Sequence, residues 1–281
     1  MMKLIADSGS TKTDWRIISP SKEISQARSL GINPYYQSAV EIAKELKESL
    51  LPQLDEQPEE IYFYGAGCSA EATKQIVKEA LQDCFGSISI HIHHDMLAAA
   101  HALCGHEAGI ACILGTGSNA CVFDGTQIIE QAPAPGYILG DEGGGAYLGK
   151  VLLSDYLHKL LPNDLHQAFD KRYGLSREDI LQKVYKEPYP NRFLASFSRF
   201  LFHHQSHPYV YRLLYTAFQA FIERNIKQFD NYSQYKVHFT GSVAFYYSNI
   251  LRQVCNDQGL VIKNILESPI AGLALFHTYE E

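Results

Sequence analysis

The chain has 281 residues, 24 of them basic and 31 acidic, for a formal net charge of −7. That length fits one large or two modest domains with room for a full core. The acidic balance argues against a nucleic-acid binder, which carries a basic stripe, and against a protein drawn to an anionic membrane.

No apolar run nears the roughly 18 residues of a membrane span. "MMKLIA" meets Asp7 before a leader-type apolar stretch can form, so a cytoplasmic protein is expected. The six cysteines, Cys68, Cys84, Cys104, Cys112, Cys121 and Cys255, never fall as C-x-x-C. Several lie in apolar strand patterns, which predicts reduced core thiols.

In chain order, strands are predicted at Lys3–Asp7, Trp15–Ser19, Ile61–Tyr64 and Ser87–Ile92. Helices are predicted at Ser38–Leu50, Ser69–Cys84 and Asp95–Leu103. Ala39, Ile42, Ala43, Leu46 and Leu50 recur at helical spacing. Strands alternating with helices imply a parallel sheet with helices on its faces, an α/β fold. Two further strands, Gly109–Leu114 and Ala120–Phe123, lead to Asp124-Gly125, a hairpin turn. From Ala146 to Asp230 the pattern is nearly all helical and rich in Tyr and Phe, the mark of a helix-packing core. Tyr235–Ser242 returns to strand. A helix at Val243–Val254, a strand at Leu260–Ile262 and a helix at Pro269–His277 follow.

"LIADSGSTKTDWRII" and "ACILGTGSNACVFDG" echo each other as strand, small-residue turn, strand. They predict two similar domains facing each other, 1–107 and 108–281. The second would carry a helical insertion at 146–230, and the closing helix is able to pack back on the first.

"GSTKT" has the lysine of a P-loop but lacks its second glycine. "GAGCSA" (Gly65–Ala70) and "GTGSNA" (Gly115–Ala120) fit a relaxed dinucleotide fingerprint. However, the second runs into a hairpin, and the strand after the first ends in His instead of an acid. A different use fits both hairpin turns, those at Gly9 and at Gly115. Small residues let successive N–H groups form an anion nest, and Ser and Thr add donors. Asp7, at its strand end, could hold Mg²⁺ through water. One loop from each domain would then grip a triphosphate, the alternative being that both are plain hairpins. "GDEGGGA" (Gly140–Ala146), approached through Pro133 and Pro135, is read as a substrate loop, with simple helix capping as its alternative. "HIHHD" (His91–Asp95) and "HHQSH" match no zinc spacing.

Five stretches in order carry a resemblance: "ADSGSTKTDW", "HHDMLAAAHAL", "ILGTGSNACVF", "GYILGDEGGGAYLG" and "VHFTGSVA". The chain resembles the actin-like sugar kinase superfamily, within it the N-acetylglucosamine kinases and the related activator ATPases of benzoyl-CoA reductase type. The resemblance implies two actin-like (ribonuclease H-like) domains around a cleft, with ATP and Mg²⁺ used on an amino sugar. By position it implies phosphate contacts at Gly9, Ser10, Thr11, Lys12, Thr13, Gly115, Thr116 and Gly117, and Asp7 at the metal. Asn33, Ser118, Asn119, Gly136, Asp141 and Glu142 resemble the sugar contacts, and Gly241 and Ser242 the turn beside adenosine. Asp95 resembles the base. "DSGST" stands where the family often has three glycines, and "PAPGY" where a glycine- and tryptophan-containing run is usual.

The resemblance leaves a homodimer open. It also leaves the activator ATPase as the rival enzyme, which would need an Fe–S cluster with Cys104, Cys112 and Cys121 as candidates by count alone. A non-catalytic sugar-binding regulator is the third reading. It would carry a helix-turn-helix for which a first strand at Lys3 leaves no room.

Overall fold

The structure is a computed structural model that describes residues 2–9 and 12–279. It divides into two compact units, one running up to His106 and resuming at Ser268, the other Glu107–Glu267. In the first unit, β1 (Lys3–Ser8), β2 (Lys12–Ile18) and β3 (Ile24–Leu30) form an antiparallel meander. After α1 (Ala39–Ser49) come β4 (Glu60–Gly65), α2 (Glu71–Phe85), β5 (Ser89–His94) and α3 (Asp95–Cys104). The sheet order is β3-β2-β1-β4-β5, with β4 and β5 parallel to β1.

The second unit repeats this plan. Its strands are β6 (Gly109–Leu114), β7 (Ser118–Phe123) and β8 (Ile128–Gln131), again antiparallel. Helical segments and turns follow: α4 (Gly136–Leu139), α5 (Gly145–Leu157), α6 (Asn163–Tyr173), α7 (Arg177–Tyr185), α8 (Pro190–Ser196), α9 (Ser198–His203), α10 (Pro208–Phe221), a π-helical turn, Ile222–Ile226, and a 3-10 turn, Tyr232–Gln234. Then come β9 (Val237–Thr240), α11 (Ser242–Tyr246), α12 (Ser248–Asp257) and β10 (Ile262–Leu266). The order β10-β9-β6-β7-β8, with β9 and β10 parallel to the central β6, matches the first sheet strand for strand. The last helix, α13 (Ile270–Tyr279), belongs to the first unit and packs on α3.

Strand alternation builds the first core on both faces of its sheet. Leu4, Ala6, Ile61 and Phe63 point to α1 and α2, while Ile5 and Tyr64 point to α3 and α13. The Trp15 indole is fully buried and donates Nε1–H to Ser29 Oγ at 2.9 Å. A capping box starts α1: Ser38 Oγ accepts from the Glu41 amide, and Glu41 Oε2 accepts from the Ser38 amide at 2.8 Å.

Three elements depart from the sequence reading. β3 was not anticipated, because "ISQARSL" buries only Ala27 and Ser29 and shows no apolar alternation. The strand expected at Leu260–Ile262 begins instead at Ile262. Gly259 turns at φ +74°, and the Leu260 amide donates to the Cys255 carbonyl at 2.8 Å, so Leu260 seals the end of α12. The helix expected at Val243–Val254 is broken at Tyr247, whose hydroxyl donates to the Ser198 carbonyl.

Helices α5 and α8 meet at Gly149, where a Cβ would lie 1.9 Å from the Leu194 carbonyl oxygen. Gly149→Ala is expected to force them apart and destabilise the fold by about 1–3 kcal/mol. A thermal melt measures this, and an unchanged midpoint would contradict so close a crossing.

Of the six cysteines, Cys84 is half-buried and the other five are buried. Among the described residues no helix is long and apolar enough to cross a membrane.

Candidate active site

Three parallel strands of the first unit end level with one another: Ser8 pairs with Gly65, and Gly65 with His94. In open α/β sheets ligands bind at such carboxyl ends. Gly9, the turn after Gly65, and Asp95 all lie there.

The Gly9 amide donates to the Lys12 carbonyl at 3.0 Å and closes the hairpin, whose Ser10 and Thr11 lie outside the described residues. Lys12 is exposed, with its ammonium 2.6 Å from Asp14, which Arg28 Nε also meets at 3.0 Å. The Thr13 side chain, expected among the phosphate contacts, is turned into its own unit. It is fully buried, and its hydroxyl donates to the Leu30 carbonyl at 3.0 Å and pairs with Ser8 Oγ at 2.8 Å, which ties the hairpin to β3.

Burial pushes the Asp7 carboxyl up to about 6, with repulsion from Asp14 and Asp95 adding to it and a 3.2 Å hydrogen bond from Ser268 Oγ opposing it. Asp95, the first residue of α3, is open to solvent at its surface yet ringed by protein. Desolvation raises its carboxyl above the ordinary range, against the pull of His94 and of nearby backbone N–H groups. Asn33 Oδ1 accepts from the Tyr35 amide at 3.0 Å. A Cβ on Gly67 (φ +83°) would stand 3.0 Å from that oxygen, so Gly67 lets the Gly65–Cys68 turn lie against Asn33. Gly67 was not picked out from the sequence, where "GAGCSA" was weighed only as a dinucleotide fingerprint.

Helix α3 is anchored from below. The buried Tyr64 hydroxyl lies 2.9 Å from His101 Nδ1 on α3 and 2.9 Å from His277 Nε2 on α13, and it can donate to one and accept from the other. Desolvation lowers His101 to about 4 and His277 to about 3, so both rings are neutral at pH 7.

In the second unit three glycine motifs close on one another. A Cβ on Gly144 would lie 2.7 Å from the Gly117 carbonyl carbon, and one on Gly241 (φ +113°) 2.3 Å from the Leu114 carbonyl oxygen. The Gly145 and Ala146 amides donate to the Gly115 and Thr116 carbonyls, each at 2.8 Å. The start of α5 thus holds the Gly115–Gly117 turn and leaves Thr116 exposed.

Asp141 adopts φ +58°, and its Oδ1 accepts from the Ser118 amide at 3.2 Å. Desolvation raises its carboxyl, with that amide opposing. Asn119, half-buried, accepts at Oδ1 from the Ala120 amide at 2.8 Å, and Gly136 opens α4 at φ +80°. Ser118 Oγ and Thr240 Oγ1 are buried with no hydrogen-bond partner among the described residues. Orphaned hydroxyls of this kind are expected where a polar ligand completes the site. Glu142, expected among the sugar contacts, is buried, and its Oε1 accepts from Arg224 Nη1 at 2.5 Å.

Beside Gly241 and Ser242 lies a cavity of about 560 Å³ lined by Arg199, Phe202, His203, Tyr246 and Glu267. The Tyr246 hydroxyl donates to Glu267 Oε1 at 2.9 Å. Sequence reasoning missed these residues because Phe202 and Tyr246 are indistinguishable by pattern from the core aromatics around them. Among the described residues no group of three or more His, Cys, Asp or Glu side chains is placed to hold a metal ion.

No family model matches the chain, and no curated protein does. Solved structures match it closely. A Porphyromonas gingivalis protein, provisionally assigned as an N-acetylglucosamine kinase, is 44% identical, with 99% of each chain covered and a TM-score of 0.93. A Chromobacterium violaceum protein with the same provisional assignment is 18% identical, with 98% of each chain covered and a TM-score of 0.77. A Listeria monocytogenes protein, provisionally an N-acetylmannosamine kinase, is 15% identical with a TM-score of 0.53, covering 99% of this chain and 98% of that one. The last two show a shared fold.

Two sheets of one topology and the likeness to these solved structures place the chain in the actin-like sugar-kinase class. At 44% identity over the full length of the Porphyromonas gingivalis protein, the chain belongs to the family of N-acetylglucosamine kinase-like proteins.

Proposed function

We propose that this protein is a sugar kinase that transfers the γ-phosphoryl group of ATP to a hydroxyl of an N-acetylated amino sugar, N-acetylglucosamine or a close relative. The observation that carries this reading is Asp95. Its carboxylate is solvent-open, stands at the end of a parallel strand and is held above its ordinary pKa, which suits a general base for a sugar hydroxyl.

Phosphoryl transfer is loose, so the remaining work is positioning and charge neutralisation. By the motif resemblance, phosphate contacts fall to Gly9 and Lys12 and to the Gly115–Gly117 turn, with Thr116 adding a hydroxyl. Adenosine occupies the cavity beside Gly241 and Ser242, which Phe202 and Tyr246 line. By the same resemblance, sugar contacts fall to Asn33 of the first unit and to Ser118, Asn119, Gly136 and Asp141 of the second. Asp7 fits Mg²⁺, because a desolvated carboxylate crowded by Asp14 and Asp95 gains most from a cation. Mg²⁺ commonly takes one protein carboxylate together with phosphates and water. Held there, it would supply charge neutralisation on the phosphates.

The test is ADP release from Mg-ATP across a panel of hexoses and amino sugars against a no-sugar control. Release only with an N-acetylated amino sugar is the expected result. Sugar-independent release would move the assignment to the activator ATPase, and sugar binding without release to a non-catalytic regulator.

A further inference from the structure

The loop Gly140–Gly144 carries a buried acid whose partner comes from far along the chain. Glu142 is 6% exposed, and Arg224 reaches it from the π-helical turn Ile222–Ile226. Such widened turns are rare and concentrate at functional sites. Here the Lys227 amide donates to the Ile222 carbonyl at 2.9 Å, and Asn225 Nδ2 takes up the Phe221 carbonyl at 3.2 Å. Ile222 and Ile226 stay buried while Arg224 extends to the loop.

The same loop is pressed on α10 at Gly143 (φ +75°), where a Cβ would meet Phe221 Cβ at 3.2 Å. Its Asp141 sits in the left-handed region at φ +58°, a conformation that a non-glycine residue keeps only when its surroundings impose it.

We infer that Arg224 is a positioning residue: through the Glu142 carboxylate it holds the Gly140–Gly144 loop in the conformation that presents Asp141 beside Ser118. The functional consequence rests on the sugar-kinase reading above, and the geometry does not. A carboxylate withdrawn from water stays buried only while it is paired. Without the guanidinium, Glu142 turns out to solvent and carries the loop with it.

Hydrogen exchange and steady-state kinetics on the full chain test this together. In Arg224→Met, amides of residues 137–146 are expected to exchange at least about tenfold faster than in the wild type, with the rest of the second unit unchanged. The sugar KM should rise about tenfold while the ATP KM stays near its wild-type value. Arg224→Lys, which keeps the charge, should recover much of both. The double variant Glu142→Gln/Arg224→Met should exchange more slowly than Arg224→Met, because no buried charge is left unpaired. Unchanged loop exchange, or a uniform increase across the unit, overturns the inference. Faster loop exchange in a protein whose wild type turns over no sugar sinks the kinase reading and leaves the positioning role standing.

Discussion

Asp95→Asn is expected to lower kcat by roughly 10²–10⁴-fold while leaving ATP binding little changed. The amide matches the carboxylate in shape and cannot take the hydroxyl proton. The loss corresponds to about 3–5 kcal/mol of transition-state stabilisation. Structure should survive the change. A carboxylate in the first turn of a helix contributes about 0.3–1 kcal/mol through the dipole, and asparagine keeps the polar contacts there. Tyr64, His101 and His277 anchor α3 independently of residue 95. The wild-type rate should fall as pH drops through the Asp95 pKa, because the base acts ionised, and that limb should lie above the ordinary carboxylate value of 3.8. Stopped assays of ADP release, with ATP affinity measured separately, decide the matter. Near-normal turnover in the variant would remove Asp95 from the chemistry.

The parts of the fold legible in the sequence were those with a local period. Leu4, Ala6, Ile61 and Phe63 alternate along their strands, and Ile42, Ala43 and Leu46 recur along α1, because each face is buried against one partner. The echo between the two hairpins was visible for the same reason. β3 was not, since its contribution is hydrogen bonding to β2 and not apolar burial. Contacts between distant residues left no local trace. Arg224 and Glu142 are 82 positions apart, and Tyr64 and His277 are 213 apart. Thr13 and Glu142 were read as ligand contacts from their place in a motif, yet each side chain is engaged within its own unit. A motif locates a loop, while the direction of each side chain depends on neighbours from other elements. Gly144 and Gly241 show the converse: the glycines were evident, but that both press on the turn at Leu114–Gly117 required the tertiary structure.

Asp7→Asn should stabilise the protein at neutral pH and abolish its use of Mg-ATP. The Asp7 carboxyl is raised to about 6 from an ordinary 3.8, chiefly by burial. The folded state therefore binds this proton more tightly than the unfolded state does. Its contribution to stability is fully present below the unfolded pKa, near 4, and is lost as pH rises through 6. At pH 7 to 8 the ionised carboxylate costs the fold about 3 kcal/mol, at roughly 1.4 kcal/mol per pKa unit. Asparagine removes that cost, and its carbonyl can still accept from Ser268, while its NH₂ group faces the field of Asp14 and Asp95 favourably. The melting temperature of the variant should exceed that of the wild type at pH 7.5, and the two should converge at pH 4. A gain of equal size at both pH values would mean that packing, and not charge, is responsible. A loss at pH 7.5 would mean that the carboxylate is well solvated or paired. Mg-ATP should raise the wild-type melting temperature and have far less effect on the variant. A carboxylate kept ionised in a site that disfavours it, beside two others, is expected where a cation offsets the repulsion during function.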